Sequence, residues 1–462
     1  MFSSLVVDAN LIRKYGGAGP RYTSYPTADR FVEAFGPAAY RHWLGNRNIG
    51  GFARPLSLYV HLPFCDTVCY YCACNKVVTK THSRSAGYVE YLGREMRLVR
   101  AQLGDEDRTV TQMHWGGGTP TFLSDDEMTQ LMASLRQEFI LDPAGEYAIE
   151  LDPRRVNPDR IALLAKLGFN RVSLGVQDFD PVVQRAVNRI QSVEQTESVM
   201  RAARAHGFKS INVDLIYGLP KQTVEGFSRT LDRVVQCSPD RVALYSYAHL
   251  PSLFKPQRRI AETDLPQGEV KLQLLTSAIA RLQEAGYLYI GMDHFAKPDD
   301  DLAVAQRQGR LTRNFQGYSS CGDSDIIGLG VSAISKVGPT YSQNEKVLED
   351  YYARLDGEEL PVLRGMELSA DDLVRRAVIQ SLACHFRVSK EAISIAHLVD
   401  FDVYFAAECE QLGAMEQEGL VKVDDEWITV TDNGRLIVRV VCMVFDRYLK
   451  AERARAQYSR VM

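Results

Sequence analysis

Between residues 56 and 295 the chain repeats one pattern: short β-rich apolar runs separated by longer stretches of helical period. The predicted strands are LSLYVHLPF (56–64), VTQMHWGGG (110–118), EYAIELDP (146–153), FNRVSLGVQDF (169–179), SINVDLIYGLP (210–220), RVALYSYAHL (241–250) and YLYIGMDHF (287–295). Two of the intervening segments open with helix-start chemistry. Ser124 with Glu127, and Ser192 with Gln195, form S-x-x-E/Q capping boxes. Gly207 sits where the second segment should stop. Strands alternating with helices predict right-handed βαβ units and a parallel sheet. Six or seven such units, with no dinucleotide glycine fingerprint after the first strand, predict a partial or full β/α barrel rather than a doubly wound sheet. Barrels of this kind carry their sites at the carboxyl ends of the strands. Those ends hold Tyr59 and His61, then Gly116 to Thr119, Glu150 and Asp152, Gln177 and Asp178, Asp214 and Tyr217, Tyr245 to His249, and Asp293 with His294. Single polar residues in such places often pair with one another or cap the next helix. Six strands in succession point instead to a shared site.

The alternation stops near residue 355. SADDLVRRAVIQSLACHF is helical, and LGAMEQEGLVKVDDEWITVTDNGRLIVRVV predicts helix, two short strands and helix, a winged-helix pattern. Glu408, Glu410, Glu416, Glu418, Asp424, Asp425 and Glu426 make that region acidic, which repels a phosphate backbone. A covering or substrate-gripping role fits better than DNA binding. The expected organisation is an arm at 1–38, a catalytic barrel at 39–355 and a mainly helical domain at 356–462.

Composition narrows the class. The chain has 462 residues, 45% of them hydrophobic, and a net charge of −4. Nothing in that balance favours nucleic acid or an acidic membrane. No uncharged apolar run approaches the ~18 residues of a membrane span. The amino-terminal stretch is too soon charged for a signal peptide. A cytoplasmic protein is expected, in which thiols stay reduced. Cys237, Cys321, Cys384, Cys409 and Cys442 are scattered and read as small core residues.

The other four cysteines are crowded into CDTVCYYCACNK (65–76), at Cys65, Cys69, Cys72 and Cys74. Structural zinc takes two short pairs separated by a loop, and no second pair follows. A tight loop of three thiolates suits one face of a cubane iron–sulfur cluster. Three ligands for four irons leave one iron open for chemistry. Spacing alone does not say which three of the four bind.

The CxxxCxxC loop resembles the signature of radical S-adenosylmethionine (SAM) enzymes, and Tyr71 fills the aromatic position that superfamily favours. HWGGGTPT resembles the glycine stretch with which its members hold SAM. The resemblance implies a partial (β/α)6-type barrel and a [4Fe-4S] cluster on Cys65, Cys69 and Cys72. It further implies SAM on the open iron, cleaved to a 5'-deoxyadenosyl radical, with Cys74 near the cluster but not a ligand.

Along nearly its whole length the chain resembles the oxygen-independent coproporphyrinogen III oxidases. GPRYTSYPTA (19–28), CYYCACNK, QRAVNRIQ (184–191), VDLIYGLP, GMDHFA (291–296), RNFQGYSS (313–320) and GLGVSAIS (328–335) carry this likeness. It implies that two propionates of coproporphyrinogen III become vinyl groups, giving protoporphyrinogen IX for haem. It implies that Tyr59, Gly117, Glu150 and Ile334 hold the cluster-bound SAM. A second SAM would meet Tyr71, Gly118, Thr119, Gln177, Arg189, Asp214 and Ala248. A flavodoxin- or ferredoxin-type electron donor, an electron acceptor and a monomeric state are also implied. The arm, with Arg21, Tyr22 and Tyr25, is expected either to pack simply or to close over the substrate carboxylates; no catalytic side chain is assigned, and Cys74 is a candidate. Two other readings share the cluster loop: a haem chaperone and a haem-modifying methyltransferase. The first typically lacks a cysteine at position 74 and has a different amino terminus.

Overall fold

The first six predicted strands form, and all six lie parallel. In this computed structural model they are β1 (Leu56–Leu62), β2 (Thr109–Gly117), β3 (Ile140–Leu151), β4 (Arg171–Gln177), β5 (Ser210–Tyr217) and β6 (Arg241–Ser246), each paired to the next. Helices Ser83–Arg100, Asp125–Glu138, Pro158–Leu167, Val193–Ala205 and Val224–Cys237 follow the first five. Both predicted capping boxes are made, and Gly207 has the left-handed φ of +78° that ends its helix. On the far side of β1 lies β7 (Asp325–Leu329), also parallel. From it the sheet runs antiparallel through β8 (Ile334–Val337), β9 (Thr340–Asn344) and β10 (Val362–Glu367). No pairing joins β6 to β7 among the described residues, so the barrel is partial. The structure describes residues 5, 8–17, 19–48, 54–104, 108–322 and 324–452, with side chains to 449. Parts of the expected arm (1–4, 6–7 and 18) and the chain end from 453 lie outside them.

Strand periodicity divides the residues between two faces. Val172, Leu174 and Val176 of β4, and Ile211, Val213, Leu215 and Tyr217 of β5, are buried on one of them. The alternate positions are Ser173, Gly175 and Gln177, then Asn212 and Asp214. The same alternation selects Tyr59 and His61 on β1, His114 and Gly116 on β2, and Glu150 on β3. Several of these groups bond across the strands: His114 to Glu150, and Ser173 to Asn212 and Asp214.

The seventh predicted strand is not one continuous strand. Its residues form a hairpin of Leu288–Gly291 against His294–Ala296. Gly291 and Met292 have φ of +146° and +49° and reverse the chain between two runs of strand-like pattern. Alternation of side chains cannot reveal such a reversal. Asp293 therefore stands in the turn, and His294 opens the second strand of the hairpin.

The chain forms two compact units. The barrel unit comprises residues 31–274 and 323–367. The other comprises 1–30, 275–322 and 368–462, so 275–322 groups with the chain's two ends. Its core contains Ile290, Leu302, Leu311, Tyr318 and Cys384. Within it Gln306 Nε2 donates to the carbonyls of Ile290 (2.6 Å) and Cys384 (2.8 Å). Its antiparallel sheet runs Arg387–Ser389, Trp427–Val430, Val421–Val423, with helices Ala406–Gln417 and Val438–Val444 about it. This is the helix–strand–strand–helix order of a winged helix. Cys384 and Cys442 are buried, as expected of core thiols; Cys237, Cys321 and Cys409 are half-buried. Among the described residues no helix is long and apolar enough to cross a membrane.

Candidate active site

The cysteine loop is pinned where it leaves the barrel. Phe64–Cys65 pairs in parallel with Val77–Val78. His61 Nε2 donates to the carbonyl of Asn75 at 3.0 Å, which leaves Nδ1 to accept from Tyr59 Oη, also at 3.0 Å. Burial lowers the His61 pKa and keeps the ring in this neutral form. Tyr70 N–H donates to Val187 O (2.9 Å) and Asn188 Nδ2 to Val68 O (2.8 Å). Gln257 Nε2 ties the carbonyls of Tyr71 (3.1 Å) and Ala248 (3.2 Å) together.

The glycine stretch closes against the same loop. Gly118 N–H donates to Leu62 O (2.9 Å) and Thr119 N–H to Phe64 O (2.8 Å). A Cβ at Gly118 would stand 2.6 Å from Pro63 O and 2.7 Å from Phe64 O, so only glycine fits. Gly117, at φ +112°, donates to Glu150 Oε2 at 3.1 Å. His114 Nε2 lies 3.0 Å from Glu150 Oε1, and its ring stacks on Tyr59. Burial raises the Glu150 pKa, but the bonds from His114 and Gly117 outweigh it and hold the carboxyl below its ordinary value.

Each predicted ligand thiol has its own setting. Cys65 Sγ is 3.5 Å from Thr119 Oγ1, and burial pushes its pKa up to about 11. Cys72 is pulled down to about 6 by its hydrogen bond to Cys74, helped by Lys76. Cys69 faces two guanidiniums, Arg189 Nη1 at 3.7 Å and Arg154 Nη2 at 3.9 Å. Asp152 holds both: it accepts from Arg154 Nη2 at 2.6 Å and from Arg189 Nη1 at 3.2 Å. Arg189 also donates to Gly175 O at 2.5 Å. Cys74 is exposed.

A cavity of about 290 Å³ brings most of these groups together. The four cysteines line it, as do Tyr71, Gly117, Gly118, Thr119, Glu150, Gln177, Arg189 and Asp214. Tyr59, Ala248 and Ile334 do not. Tyr59 lies behind, on His61 and His114. Ile334 abuts Gly328, where a Cβ would meet its backbone at 2.6 Å. Asp152, Arg154, Lys76, Ser173 and Tyr245 also line the cavity. Sequence reading counted Asp152 and Tyr245 among the strand-end polar groups without giving them a role, and did not select Arg154, Lys76 or Ser173. The strand-end run Asp152-Pro153-Arg154-Arg155 was the available signal.

The residues fit a cluster and SAM. The three thiols line one cavity, with cations beside Cys69 and Cys72 to balance thiolate charge. Gln177, at a left-handed φ of +67°, has a buried Oε1 with no partner, and Arg189 Nε is likewise unmet. A ligand with amino, hydroxyl and carboxylate groups would satisfy such atoms. Asp214 accepts from Ser173 Oγ (3.0 Å) and Asn212 Nδ2 (2.8 Å), and burial beside Glu150 raises it to about 6. Among the described residues no three ligand side chains converge on a single metal ion. A cubane does not require that, since its ligands bind separate corners.

The arm residues belong to the other unit. Tyr22 is buried and donates to Asp446 Oδ2 at 3.0 Å. Tyr25 is buried against Tyr448 and accepts from Arg447 N–H at 3.3 Å. Arg21 pairs with Asp293 at 3.3 Å and is partly exposed.

A partial parallel barrel with a three-cysteine loop at its mouth defines the radical SAM class. The model for the Radical SAM superfamily matches residues 59–234, and that for the HemN C-terminal domain matches 368–437. The oxygen-independent coproporphyrinogen III oxidase of Pseudomonas aeruginosa is 51% identical over the full length of both chains. That of Escherichia coli is 48% identical over 98% of each. The solved structure of coproporphyrinogen III oxidase (HemN) from Escherichia coli, described as a radical SAM enzyme, superposes with a TM-score of 0.91. It is 45% identical and covers 97% of this chain and 100% of its own. The chain belongs to the oxygen-independent coproporphyrinogen III oxidase family.

Proposed function

We propose that the chain converts coproporphyrinogen III to protoporphyrinogen IX without oxygen, and that the cavity at the cysteine loop is where it does so. The observation that carries this reading is the convergence of Cys65, Cys69 and Cys72 with the strand-end groups Glu150, Gln177, Arg189 and Asp214 on one cavity. The three cysteines would hold a [4Fe-4S] cluster with one iron left for SAM. When bound, cluster and SAM supply a 5'-deoxyadenosyl radical that takes a propionate β-hydrogen, after which carbon dioxide leaves, one electron passes to an acceptor, and a vinyl group remains.

The chain's own residues do the rest. Glu150, kept ionised by His114 and Gly117, would accept from the SAM amino group or ribose. Gly118 lets the glycine turn lie against the loop. Arg189 is suited to a carboxylate and Asp214 to a ribose diol. Tyr71, Gly118, Thr119, Gln177, Arg189, Asp214 and Ala248 are the proposed contacts of a second SAM, matching two decarboxylations per turnover. Tyr59, Gly117 and Ile334 are, with Glu150, the proposed contacts of the first. Of the arm residues, Arg21, partly exposed and paired with Asp293, is the proposed donor to a substrate carboxylate. The electron donor is proposed to be of flavodoxin or ferredoxin type, the protein a cytoplasmic monomer.

The test is anaerobic reconstitution with iron and sulfide. The reading expects about four irons per chain, lost in C65S, C69S and C72S, and 5'-deoxyadenosine formed with coproporphyrinogen III. SAM cleavage stimulated by haem and not by coproporphyrinogen III would overturn the substrate assignment.

A further inference from the structure

We propose that Arg154 sets the reduction potential of the cluster through the sulfur of Cys69. The three ligand sulfurs are not equivalent. Cys65 has a hydroxyl beside it, Cys72 has Cys74, and Cys69 alone has two guanidiniums within 3.9 Å. Arg189 is already engaged with Gly175 O and Asp152 and is the proposed partner of a SAM carboxylate. Arg154 has no such second duty. It bonds Asp152 by both Nε and Nη2, and the same Nη2 is aimed at Cys69.

Asp152 fixes the geometry. Its carboxylate, hydrogen-bonded to Arg154 N–H as the cap of a short helical turn, stands at the carboxyl end of β3. It is nearly buried, and the Arg189 and Arg154 cations hold its pKa low against the upward push of burial. The guanidinium fork therefore has one orientation, with Nη2 toward sulfur. A lysine could not reproduce that fork.

The physical consequence concerns charge. One-electron reduction, by a low-potential donor, adds a negative charge to the cluster and its thiolates, with no bond made or broken in the protein. Hydrogen bonds to ligand sulfur and nearby positive charge favour the more negative state and raise the potential. Arg154 supplies both to one sulfur. Removing it makes the cluster harder to reduce while leaving its ligands in place.

The inference rests on Cys69 being a cluster ligand, and that assignment fails separately if C69S keeps its iron. The experiment is an electron-paramagnetic-resonance redox titration of reconstituted native protein, R154Q and R154K, with iron content measured on each. R154Q is expected to keep its iron and to show a roughly tenfold lower reduced-to-oxidised ratio at fixed potential, about 59 mV more negative for a one-electron couple. R154K should shift the same way by less. If R154Q does not take up iron, R154K is read alone. An unchanged midpoint in the variant that loads overturns the proposal. Loss of iron from both also overturns it, since Arg154 would then be a structural support of the loop.

Discussion

His114 and Glu150 meet at 3.0 Å across neighbouring strands, and the other carboxylate oxygen accepts from Gly117 N–H. Both partners are donors, so a glutamine at 150 would turn its amide nitrogen against one of them. E150Q is expected to keep its iron and bind SAM at least about tenfold more weakly, the scale of one charge-assisted bond. Isothermal titration of reconstituted protein measures it. The sign with pH follows from the depressed carboxyl. Its charge is present above the ordinary value of 4.5 and is lost only as pH falls below that. The Glu150 contribution to SAM affinity, read as the difference between native protein and E150Q, should thus be flat from pH 8 to 5.

Asp214 behaves in the opposite sense. Its ordinary value is 3.8 and burial raises it to about 6 in the folded protein. Between these values the folded state binds more protons than the unfolded, so stability falls as pH rises. Above about 6 the penalty is fully present. D214N should therefore raise the melting temperature at pH 8, by the equivalent of at most about 3 kcal/mol, with the gain shrinking as pH falls toward 4. Equal gains at pH 4 and pH 8 would rule the buried charge out as the cause.

Gly118 is required by closeness, since its Cβ would press on two backbone carbonyls that cannot swing aside. G118A is expected to separate the glycine turn from the cysteine loop. Iron content after reconstitution should drop severalfold, while far-ultraviolet circular dichroism stays native.

Cys74 is the exposed member of the four. C74S should retain full iron. A loss would mean that the ligand triad includes Cys74.

Much of this was legible in the residues. The parallel strands followed from βα alternation, and the helix starts at Ser124 and Ser192 from their capping boxes. The cysteine loop declared itself by spacing. What stayed hidden depends on three-dimensional closeness. Gly291 and Met292 turn the chain within a run that reads as one strand. Segment 275–322 packs with residues remote in sequence. Tyr22 and Tyr25, expected from the sequence either to pack or to grip substrate, are buried side chains with partners at 446 and 447. The Asp152–Arg154–Cys69 contact joins positions 85 residues apart, and no local pattern predicts it.

The central claim is tested most directly by the porphyrin product. Reconstituted protein is incubated without oxygen with SAM, a low-potential reductant and coproporphyrinogen III. Oxidised products are then separated by liquid chromatography and weighed by mass spectrometry. The account predicts a product lacking two carboxyl groups, each lost with one hydrogen, and dependent on Cys65, Cys69 and Cys72. Unchanged tetracarboxylate, from protein that holds its cluster and cleaves SAM, would contradict it.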